Sequence, residues 1–152
     1  MSTKGLFVIL IAMAGNNFYT LWENDTFTIT TPFNPHLPYS EGLQIVVATK
    51  LGLARAWDDP ELAGRAFTLA AQACQVMDKL GMAPWFNMQN NGNWGLLPNG
   101  TLFFHIHVYG RNKTANWGKP VILPEAPGTY HNDPMPEADR TKLGTAFASA
   151  LT

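Results

Sequence analysis

Residues 104–109 read Phe-His-Ile-His-Val-Tyr, and no other stretch restricts the fold as tightly. Side chains along a strand alternate between its two faces. Phe104, Ile106 and Val108 therefore share one face, and His105 and His107 share the other. The segment demands a sheet with an apolar layer on one side and room for two imidazoles on the opposite side. Such a pair serves either as a nucleophile with a neighbouring acid–base or donor group, or as half a metal site. Gly110 and Arg111 are expected to end the strand and leave a cation beside the histidines.

The rest of the chain supports a packed sheet. It has 152 residues, 46% of them apolar, enough for one domain with a core of its own. Net charge is −1 and lysines and arginines do not cluster, which argues against an electrostatic nucleic-acid binder. Cys74 is the sole cysteine, so an intrachain disulfide and paired-cysteine zinc or redox motifs are excluded. Residues 5–14 are almost wholly apolar, too short to span a membrane. They read as a buried element or a contact between copies. The alternative is a leader cleaved near Ala12-Met13-Ala14, which would make the protein secreted rather than cytoplasmic.

Secondary structure follows from periodicity and punctuation. Residues 26–31 and 43–49 read as strands, separated by a segment broken by Pro32, Pro35 and Pro38. Asp58-Asp59-Pro60-Glu61 opens a helix, with an acidic cap and proline in the first turn. Leu62, Ala66, Leu69, Ala70, Ala73, Val76, Met77 and Leu80 recur at helical spacing, and Gly81 closes the element. Residues 84–89 form a third strand, with Trp85 and Phe86 assigned to the core. A polar loop then leads to the histidine strand, and a last helix spans roughly 137–150 behind Pro136. The order predicts an α+β domain built on an antiparallel sheet.

The histidine pair alone leaves the chemistry open. A metal site needs a further ligand, for which His36, His131 and Asp133 are candidates, although the spacing favours none of them. The surroundings are more specific. Phe86-Asn87-Met88-Gln89 followed by His105-Ile106-His107-Val108-Tyr109-Gly110-Arg111 resembles the histidine triad (HIT) superfamily of nucleotide hydrolases and transferases. That superfamily closes its core with a strand in which three histidines alternate with apolar residues and two more apolar residues follow, often with a small and a basic residue after them. Phe103 stands where the first histidine is expected, which is a departure from the pattern. The resemblance covers roughly residues 25–111.

Several expectations follow from that resemblance. His105 matches the histidine that attacks the α-phosphate and carries the nucleotidyl group. His107 matches the one that bonds the phosphate or leaving-group oxygen. Gln89 matches an amide that holds a phosphate oxygen, and Thr101 lies near a helping hydroxyl. Asn34 corresponds loosely to a ribose contact, and His36 to the wall of the base or ribose pocket. Asn99 and Arg111 complete the expected substrate-binding set. Arg111 and Lys113 are read as solvated side chains, with distal phosphates as the functional contact. The partner is then a nucleoside phosphate or dinucleotide-type small molecule, with no nucleic acid, membrane, metal or cofactor, and the protein a homodimer. Two other readings stand beside this one. One is a nucleotide binder with little or no turnover. The other is a metal-dependent hydrolase using the two histidines as ligands.

Overall fold

A computed structural model of the chain describes residues 17–112 and 131–151. The apolar segment 5–14 and most of the proline-rich stretch after Arg111, including Lys113 and Trp117, lie outside the described residues. Five strands and two α-helices make up the rest: β1 (Phe18–Glu23), β2 (Phe27–Pro32), β3 (Gly42–Thr49), α1 (Pro60–Lys79), β4 (Trp85–Gln89), β5 (His105–Arg111) and α2 (Glu137–Ala150). All the pairings are antiparallel, in the order β1-β2-β3-β5-β4. The architecture is the α+β fold that the pattern predicts.

One sheet face is the core. Ile29, Ile45, Val47, Ile106 and Val108 are fully buried there, and Phe104 nearly so. They meet the apolar stripe of α1, where Ala66, Ala70, Ala73 and Met77 have no exposed surface. Those alanines let the helix lie close to the strands. The helix begins where the sequence indicates: the Asp59 carboxylate accepts from the Leu62 amide at 2.9 Å. A side-chain cap of that kind contributes about 1 kcal/mol. Gly81 follows the helix at φ 68°, a left-handed conformation that glycine adopts without a Cβ penalty. Cys74 packs against this core, and burial pushes its thiol up to about 11, which makes it a structural rather than a reactive sulfur.

α2 closes the other end of the layer. Leu143 and Phe147 are fully buried, and the backbone of Leu21 lies so near Gly144 that an added Cβ would sit 2.9 Å from its carbonyl oxygen. Tyr39 donates to Asp139 at 2.6 Å and so ties the loop between β2 and β3 to this helix.

Three expectations need correction. Strand β1 is absent from the sequence-based assignment, because its apolar residues do not alternate cleanly. A register shift between Thr20 and Trp22 interrupts its pairing with β2. Gly110 and Arg111 do not end the histidine strand, which runs through both of them. Glycine is needed at 110 for packing, since a Cβ there would stand 2.8 Å from Leu43 and 3.0 Å from Ala83. Trp85 is not a core residue: it is 59% exposed on edge strand β4, while Phe86 does pack against the core.

Candidate active site

The face of β5 opposite the core carries His105, His107, Tyr109 and Arg111 in one row. Register brings two neighbours alongside. Gln44 of β3 pairs with Tyr109, and Gln89 of β4 pairs with His107. Directly opposed residues project to the same face of a sheet, so Gln44 and Gln89 flank the row from either side.

A continuous hydrogen-bond chain fixes the protonation of both histidines. The His36 backbone amide donates to Gln44 Oε1 at 2.6 Å, which determines the orientation of that side-chain amide. Gln44 Nε2 therefore faces His107 Nδ1 at 3.2 Å as the donor. Neutral His107 then carries its proton on Nε2, which lies 3.1 Å from His105 Nε2. At the far side of that ring, His105 Nδ1 donates to the Phe103 carbonyl at 3.1 Å. His105 Nε2 is thus left with a lone pair that accepts from the His107 N–H beside it.

Burial keeps the cluster uncharged. Desolvation is the largest cause of the lowered pKa of His105, opposed by the bond to Phe103. It also dominates at His107, where the neighbouring His105 and His36 add to the effect and the ring stays neutral far below pH 7. His36, on the loop between β2 and β3, is pushed down to about 4 by desolvation and then by His105. Its ring stands 5.2 Å from that of His107, and its Nδ1 lies 2.7 Å from the Tyr109 hydroxyl.

Phe103 occupies the first position of the expected histidine series in its own way. Its ring stacks on His105 at 4.3 Å between centroids and 23° between planes. It supports the histidine by packing, while its carbonyl supplies the bond that sets the tautomer. Asn90 holds the start of the strand, donating from its side chain to the His105 carbonyl at 2.6 Å.

The expected site residues therefore separate into two groups. His105, His107, Gln89, His36 and Arg111 are brought to one face or its rim. No described contact joins Asn34, Asn99 or Thr101 to the row. Asn34 and Thr101 are exposed in loops, and Asn99 sits at φ 67° in a turn, a conformation that asparagine tolerates better than most residues. Arg111 departs from its expected solvation, being only 7% exposed. Gln44, Tyr109 and Asn90 belong to the site but were not singled out from sequence. A polar Gln in the otherwise apolar run 43–48 was the available signal. Among the described residues, no group of three or more His, Cys, Asp or Glu is arranged to hold a metal ion. No described helix is long and apolar enough to cross a membrane.

No protein-family model matches the chain, and no curated protein matches it. Solved structures do. A histidine triad protein from Bradyrhizobium japonicum aligns with a TM-score of 0.65 at 10% identity, over 93% of this chain and 96% of that one. A hypothetical histidine triad nucleotide-binding protein from Sulfolobus tokodaii aligns with a TM-score of 0.59 at 12% identity, over 93% and 88% of the two chains. A zinc-bound histidine triad family protein from Mycobacterium smegmatis aligns with a TM-score of 0.56 at 16% identity, over 96% and 91%. The chain has the histidine triad fold, as its β5 motif led one to expect.

Proposed function

We propose that this chain binds a nucleoside phosphate and cleaves it at the α-phosphorus through a nucleotidyl–His105 intermediate. One observation carries the reading: the bond from His105 Nδ1 to the Phe103 carbonyl commits the Nε2 lone pair to the side where His107 presents an N–H. A neutral imidazole held in one tautomer is a nucleophile at pH 7. The fold is that of proteins including one described as nucleotide-binding, which supports the ligand class.

The reaction runs in two displacements. His105 Nε2 attacks the α-phosphorus, and the bond from phosphorus to the leaving oxygen or nitrogen breaks. The bound substrate replaces His105 as the acceptor of the His107 Nε2–H, which hydrogen-bonds the departing atom while solvent water supplies its proton. Water next attacks the phosphorus and gives up a proton to solvent, the P–Nε2 bond breaks, and the nucleoside monophosphate leaves with neutral His105 restored. Gln89, on the strand beside His107, supplies an amide donor for a phosphate oxygen. Such fixed donors are worth most where charge develops in the transition state.

The test is release of AMP from an adenosine phosphoramidate, with and without EDTA, for the wild type and His105→Ala. Chelator-insensitive turnover that disappears in the variant is expected. Loss of turnover in EDTA would instead favour a metal-dependent hydrolase using His105 and His107 as ligands. Nucleotide binding without turnover would favour the non-catalytic reading, for which Phe103 is the supporting observation.

We also propose a homodimer formed through β4. Among the described residues it is an edge of the sheet, and it exposes Trp85 and Met88. Edge strands invite pairing with another chain.

A further inference from the structure

Arg111 is the last residue of the histidine row, and its environment is unusual for an arginine. It is only 7% exposed, yet no hydrogen bond, ion pair or aromatic contact of its side chain is found among the described residues. The ion pairs that are described, Lys50 with Glu23 and Arg55 with Asp58, involve other residues. A buried guanidinium without a counter-charge is costly. Its nitrogens are not sealed in, however. The side-chain polar atom described as both fully enclosed and unpartnered is Thr30 Oγ1, not an atom of Arg111.

Position gives this cation a role. Arg111 shares its face with His105 and His107; Gly42, directly opposite on β3, places no side chain against it, and exposed Trp85, directly opposite on β4, flanks it on the other side. Four residues separate it from His107 along the strand, or about 13 Å at the usual rise. That distance is too long for contact with the phosphorus under attack. It suits a group carried further along the leaving portion of the substrate, which lies past His107 if His107 hydrogen-bonds the departing atom. His36, His105 and His107 are neutral at pH 7 and bring no positive charge to the face. Arginine offers five donors in a planar fork that matches a phosphate or a carboxylate.

We propose that Arg111 is a specificity-determining residue that binds a second anionic group, a phosphate or a carboxylate, on the leaving portion of the substrate. The inference rests on the nucleotidyl-transfer reading above and narrows it to substrates with an ionised leaving group.

The experiment compares three adenosine phosphoramidates of matched length whose leaving amines end in a neutral amide, a carboxylate or a phosphate. Wild type, Arg111→Lys and Arg111→Gln are assayed for kcat/KM. A charge-assisted contact predicts that the wild type favours an anionic substrate over the neutral one by about 10- to 100-fold. The preferred anion identifies which of the two groups the site reads. That ratio should collapse towards one in Arg111→Gln and survive in part in Arg111→Lys. Equal wild-type rates on all three substrates, or a ratio unchanged in Arg111→Gln, would overturn the proposal. If Arg111→Gln does not fold, the wild-type ratio and its retention in Arg111→Lys decide the matter. If the wild type turns over none of them, the proposed reaction has failed, and calorimetry with inorganic tripolyphosphate judges Arg111 by itself. Binding weakened in Arg111→Lys and abolished in Arg111→Gln keeps the anion site, whereas no binding to the wild type removes it.

Discussion

At the scale of single residues, Gln44 decides what the histidines can do. Its carbonyl oxygen is engaged by the His36 amide, so only its NH2 group can face His107, and that leaves the His107 proton on Nε2. Gln44→Glu changes almost no volume but removes that donor. The carboxylate would accept from His107 Nδ1 and draw the proton away from Nε2. The expected outcome is a fall in kcat of about 10²- to 10⁴-fold, the scale of loss seen when a catalytic histidine is held in the wrong tautomer. Nitrogen NMR should find the His107 proton on Nδ1. A variant with unchanged kcat would remove Gln44 from the mechanism. Alternation along one strand pointed to His105 and His107, and the family resemblance of residues 86–89 added Gln89. Gln44 lies more than sixty positions from His107 and becomes its neighbour only through the β3–β5 register. The same distance hides Tyr109 as a partner of His36.

At the scale of elements, local signals located four of the five strands and both helices. α1 was fully legible because its cap, its spacing of apolar residues and its terminal glycine agree. β1 was not, because the register shift near Leu21 breaks the alternation that identifies a strand. Trp85 was misjudged for a different reason. A large aromatic ordinarily belongs to a core, and the sequence contains nothing that marks β4 as the edge of the sheet. That exposed edge now carries its own prediction. Met88→Lys places a charge on the strand away from the histidine row, since Met88 opposes Val108 and is 43% exposed, and charges of this kind block edge-to-edge pairing. Sedimentation should show a dimer for the wild type and a larger monomer fraction for the variant. A wild-type monomer would exclude the proposed dimer, and a variant dimer as tight as the wild type would exclude β4 as its interface.

At the scale of the whole molecule, three neutral histidines link folding to pH. The unfolded chain binds a proton on His36 below about 6.5, whereas the folded chain resists it down to about 4. His105 and His107 are lowered in the same direction. The unfolded state therefore holds more protons in this interval, and stability rises with pH across it. Read downwards, stability contributed by keeping His36 neutral is present above pH 6.5 and is lost as pH falls towards 4. The melting temperature should drop over that range, and less steeply in His36→Gln. Equal slopes for the two proteins would mean that His36 protonates as freely in the fold as outside it.

The same arrangement that holds His105 neutral and oriented makes the central claim accessible to one measurement. Wild type and His105→Ala are incubated briefly with an adenosine phosphoramidate, quenched in mild alkali, and weighed intact by mass spectrometry. An adenylyl adduct on the wild type, mapped to His105 and absent from the variant, is the predicted result. An adduct of equal abundance on the variant, or turnover by the wild type with no adduct trapped at any quench time, would contradict covalent catalysis at His105.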